Sequence, residues 1–81
     1  MDASTRLKNA FTSALGLPPA TDFEHLKFQG IPEWDSVGHL QLVSAIETEF
    51  DVMIDTEDVL DLSSFQKAKF ILTKHHVVFG T

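Results

Sequence analysis

Apolar residues in this chain cluster into helical stripes separated by stretches with no period. Leu7, Phe11, Ala14 and Leu15 recur at spacings of three and four and predict a first helix over 4–15. Its stop is well marked: Gly16 suits a left-handed position, Leu17 can fold back, and Pro18-Pro19 cannot continue a helix. Residues 20–33 form a long connection with Leu26, Phe28 and Ile31 as inward anchors, and Pro32 keeps Ile31 extended. A second helix is predicted over 36–50, capped by the Asp35 carboxylate on the N–H of Val37 or Gly38. Leu42, Val43, Ile46 and Phe50 make its apolar stripe. Ser36, Val37, Leu40, Gln41, Ser44, Glu47 and Thr48 fall on the opposite side. A single helical turn over 55–60 follows, with Asp55 as its cap. Ser63 and Gln66 match a capping box that launches a last helix, with Phe65, Ala68, Ile71 and Leu72 facing inward and fraying after Lys74. No strand alternation or repeat interrupts the pattern. The expected fold is all-α: one domain over 1–81, a small antiparallel four-helix bundle of three main helices and one short one.

Eighty-one residues suffice for one small core but not for a scaffold plus a catalytic cleft. With no cysteine, neither a disulfide framework nor a thiolate metal site is available, and the start of the chain has no signal-peptide pattern. A monomer in a reducing cytoplasm is expected. No apolar run approaches membrane-spanning length. Twelve acids oppose six Lys and Arg, and nine of the acids lie between Lys27 and Lys67 with no Lys or Arg among them: Glu33, Asp35, Glu47, Glu49, Asp51, Asp55, Glu57, Asp58 and Asp61. That field disfavours nucleic acid and anionic membrane surfaces and favours basic protein surfaces. As a simple solubility device it would serve equally well.

Candidate chemistry concentrates at Asp35-Ser36-Val37-Gly38-His39-Leu40. An exposed serine opens a helix whose uncovered face carries Val37 and Leu40, which suggests docking. Ser36 has no base in register, because helical angles place His39 with Val43 and Ile46, and Trp34 breaks the hydrolase G-x-S-x-G elbow. The chain is therefore not expected to be an enzyme. His39 fits a core-edge histidine with one hydrogen-bond partner, and His75-His76 point to different sides of a helix. The acidic run 51–62 fails as a calcium loop, since Met53, Thr56 and Leu62 occupy its third, sixth and twelfth positions. No metal site is expected. Gly38 costs about 1 kcal/mol against alanine within a helix. Either the first turn tolerates it, or it leaves room beside Ser36.

Asp35-Ser36-Val37 resembles the Asp-Ser-Leu signature of acyl carrier proteins. The resemblance extends to Leu15-Gly16-Leu17, Phe28, Leu42-Val43, Ala45-Ile46-Glu47, Glu49-Phe50, Ile54 and Leu62-Ser63-Ser64, covering residues from about 3 to 75 without a gap. It implies the acyl-carrier bundle, with Ser36 bearing a covalent 4′-phosphopantetheine arm derived from coenzyme A. The arm's thiol would hold acyl groups as thioesters for fatty-acid, polyketide or other specialised biosynthesis. The partners implied are a phosphopantetheinyl transferase and acyl-loading and acyl-using enzymes with basic docking surfaces. Asp35, Val37, Leu40, Gln41 and Glu47 would be read by those partners. Phe28, Ile46, Ile54, Val59, Leu62, Ala68 and Leu72 would line an acyl pocket, although the pattern alone makes them ordinary core.

Gly38 and Gln41 stand where fatty-acid carriers typically have acids, Val37 replaces the signature leucine, and Trp34 replaces a small residue. Trp34-Asp35-Ser36 with Gly38-His39 looks more like stand-alone carriers of specialised pathways. The alternative is a non-carrier interaction module in which Ser36 stays unmodified and Val37 and Leu40 form a docking patch.

Overall fold

The computed structural model describes residues 2–18 and 20–79; Pro19 of the expected stop and Gly80-Thr81 of the tail lie outside them. Among the described residues, four α-helices and one turn of 3-10 helix account for the regular structure: α1 Ala3–Leu15, the 3-10 turn Phe23–His25, α2 Ser36–Phe50, α3 Thr56–Asp61 and α4 Phe65–Lys74. Among the described residues there is no strand, only an isolated bridge between Lys27 and Ser64.

Each helix starts where a short polar side chain satisfies an orphan N–H. Asp2 accepts from Thr5 N–H, Asp35 from Gly38 N–H at 2.8 Å, and Asp55 from Asp58 N–H at 3.0 Å. The fourth start corrects the expectation. Ser64, not Ser63, caps α4 by accepting from Lys67 N–H at 3.1 Å. The chain is held extended through this point by two backbone bonds, Phe28 N–H to the Ser63 carbonyl and Phe65 N–H to the Leu26 carbonyl. That pairing delays the helix by one residue and buries Leu62 and Phe65 on either side. The end of α1 is as expected, with Gly16 at φ 64° and Leu17 buried.

Leu7, Phe11, Leu42, Ile46, Leu62, Phe65, Ile71 and Leu72 fill the core. The largest side chain in it is one that the pattern did not place there, Trp34, which is fully buried. Phe11 meets Trp34 edge-on at 5.4 Å and Phe65 at 5.2 Å, and Phe23 of the 3-10 turn closes on Phe65 at 5.2 Å. Such ring pairs add to the area they bury. The long connection is therefore a core element, folded on itself through Gly30 N–H to the Lys27 carbonyl and Gln29 N–H to the Trp34 carbonyl.

Polar clasps hold the helix ends. Arg6 of α1 donates to the Glu49 side chain at 2.8 Å and to the Glu49 carbonyl, with its guanidinium over the Phe50 ring. Glu47 accepts the Ile54 N–H at 2.8 Å, fixing the loop after α2. Lys74 reaches the buried Asp58 at 2.6 Å, tying α4 to α3, and this bond holds the lysine's pKa above its ordinary value. No helix among the described residues is long and apolar enough to cross a membrane.

Candidate functional site at the start of α2

Ser36 is the first residue of α2 and is exposed. The Asp35 cap engages Gly38 N–H through its carboxylate and His39 N–H through its backbone carbonyl. The N–H groups of Ser36 and Val37 have no intrahelical partner and lie at the positive end of the helix dipole. No side chain among the described residues engages the Ser36 hydroxyl. The serine is thus presented outward rather than armed.

Gly38 is buried because the preceding loop passes directly over it. A Cβ at this position would overlap the Glu33 carbonyl oxygen and press on Leu15. Neither sequence-based reading of this glycine holds, since the space it frees is taken by the chain's own backbone rather than left beside Ser36. The close approach brings Glu33-Trp34-Asp35 against the helix start, with the Trp34 ring directed into the core.

His39 is not available as a base for Ser36. Trp34 Nε1–H donates to His39 Nδ1 at 3.0 Å, and because an indole nitrogen only donates, the imidazole proton sits on Nε2. That Nε2–H donates to the Val59 carbonyl at 2.7 Å. His39 therefore has two partners where one was expected.

Beside Ser36 an apolar cleft of about 310 Å³ opens between α2 and α3. Phe28, Ser36, His39, Leu40, Val59, Leu60, Leu62 and Ser63 line it. The seven residues expected in an acyl pocket divide here. Phe28, Val59 and Leu62 face the cleft, while Ile46, Ile54, Ala68 and Leu72 belong to the closed core and not to its lining. Leu60, 78% exposed at the mouth, was not singled out from sequence, because a leucine in a one-turn helix carries no facing information.

The expected recognition residues also divide. Val37 and Leu40 are exposed, as are Asp35 and Gln41. Glu47 is half-buried and occupied with the Ile54 N–H, so it is a structural clasp rather than a free surface charge. No family model matches the chain, and no solved structure matches it.

Proposed function

We propose that this protein is a carrier: Ser36 receives a phosphopantetheine arm, and acyl groups travel on that arm between partner enzymes. The observation that carries the reading is the Ser36 hydroxyl, without a side-chain partner among the described residues, exposed at a helix start and lining an apolar cleft. The residues present fit such a group. The Ser36 and Val37 N–H groups favour a phosphodiester's charge, and Phe28, Leu40, Val59 and Leu60 offer apolar surface for a cargo. The arm's thiol would supply the thioester chemistry that a cysteine-free chain lacks.

Attachment needs little from this protein. Ser36 Oγ would bond to the pantetheine-side phosphorus of the coenzyme A diphosphate as the P–O bond to the departing adenosine 3′,5′-bisphosphate breaks, with the hydroxyl proton going to a base of the transferase, which would also hold the Mg²⁺. The chain contributes the hydroxyl, the rigid Asp35 cap and the docking face of Val37 and Leu40. The carrier bundle and the lean toward specialised pathways rest on the sequence resemblance described above.

Incubation with coenzyme A, Mg²⁺ and a broad-specificity phosphopantetheinyl transferase should add one arm to the wild type and none to Ser36→Ala, as read by intact mass. An unmodified wild type would replace the carrier reading with that of an interaction module, and an arm on Ser63 or Ser64 would overturn the assignment to Ser36.

A further inference from the structure

His39 lines the cleft beside Ser36 and bridges the two helices that border it. His39 lies one turn below Ser36 on α2, about 4.5 Å along the axis. By donating to the Val59 carbonyl, its ring spans the gap between α2 and α3, with Trp34 donating from behind. Phe28 packs against the imidazole at 5.1 Å, and the Trp34 ring lies nearly coplanar with it, 18° apart and 6.2 Å between centres, so the three rings are packed together at the cleft. Ile46 lies about 10 Å deeper along the helix, fully buried and outside the lining. A chain running inward along α2 from Ser36 meets the imidazole before Ile46, although Leu62, also in the core, already lines the cleft. Pushing the ring aside would strand the buried Trp34 N–H and leave the Val59 carbonyl only the long bond from Leu62 N–H at 3.4 Å, and an orphaned polar group is costly in apolar surroundings.

We infer that His39 sets the length of cargo this protein shelters, barring the way from the cleft toward the core so that short acyl groups are covered and long ones are not. The inference rests on the carrier reading. The cleft of about 310 Å³ is open to solvent on one side, so what limits a sheltered chain is its way inward past His39. The barrier is specific because it is hydrogen-bonded on both sides, whereas an apolar side chain in its place could rotate away freely.

The test is a cargo ladder. The protein is loaded at Ser36 with acetyl-, butyryl-, hexanoyl-, octanoyl- and decanoyl-phosphopantetheine, intact mass confirms each product, and melting temperature is read for each. A buried methylene should raise the melting temperature by a few degrees in a domain of this size. For the wild type we expect a rise over the shorter members and a plateau by octanoyl. His39→Ala should move the plateau to longer chains, and His39→Asn, smaller but still polar, provides the same comparison if the alanine variant does not fold. A wild-type melting temperature that climbs through decanoyl overturns the inference and leaves the carrier reading intact. So does a plateau that is unmoved in either folded variant. Failure to acquire any arm overturns the carrier reading and the inference with it.

Discussion

Gly38 shows how one residue fixes the geometry around Ser36. A helical glycine is normally a weak point, and replacing it with alanine gains up to about 1 kcal/mol. Here the added methyl would meet the Glu33 carbonyl and Leu15. Gly38→Ala should therefore destabilise the protein by about 1–3 kcal/mol, the range for overpacking, in thermal or denaturant unfolding. A gain in stability would show that the loop over α2 does not approach as closely as described. Trp34 marks the limit of sequence legibility at this scale. It stands in a loop directly before a cap, where no period assigns a side chain to a face. Only the convergence of Phe11, Phe28 and His39 around it makes it core. His39 could be assigned to the inner face by angle, but its two hydrogen bonds join residues 5 and 20 positions away and leave no local trace.

Helices were the most legible elements. The stripe Leu42, Val43, Ile46 and the caps Asp35 and Asp55 are local features, and α2 runs over the residues the pattern indicates. The start of α4 was misplaced by one residue because Ser63 and Ser64 are both competent caps, and the choice is made by pairing with residues 26–28, far away in sequence. Mutation separates the two serines. Ser64→Ala should cost about 0.5–2 kcal/mol, as losses of a capping side chain do. Ser63→Ala, exposed and outside the cap, should stay within about 0.5 kcal/mol of wild type. The reverse order in chemical denaturation would restore the capping box to Ser63. The 3-10 turn Phe23–His25 was invisible in sequence, since three residues cannot display a period.

Across the whole molecule, net charge of −6 was plain from composition, but its distribution was not. Three acids leave the free field: Glu47 is bonded to the Ile54 N–H, Glu49 is clamped by Arg6, and Asp58 is buried against Lys74. Glu33, Asp35, Asp51, Asp55, Glu57 and Asp61 remain exposed. Asp61 follows Leu60 at the mouth of the cleft, whereas Asp51 lies at the far end of α2, about 22 Å from Ser36 along the axis. If basic partners dock around Ser36, Asp61→Asn should slow capture by the transferase more than Asp51→Asn. The difference should shrink as salt shortens the Debye length to about 8 Å. Equal slowing would mean that only overall charge matters. Folding should hardly change, because exposed charges contribute at most about 1 kcal/mol each.

The central claim is that Ser36 carries the arm in the living cell, and the mass of the protein isolated from its own host tests it most directly. The account predicts a species heavier than the bare chain by one phosphopantetheine, with or without an acyl group that hydroxylamine releases, and peptide fragmentation placing the addition on Ser36. A native protein of unmodified mass, recovered from cells that contain an active phosphopantetheinyl transferase, would contradict it.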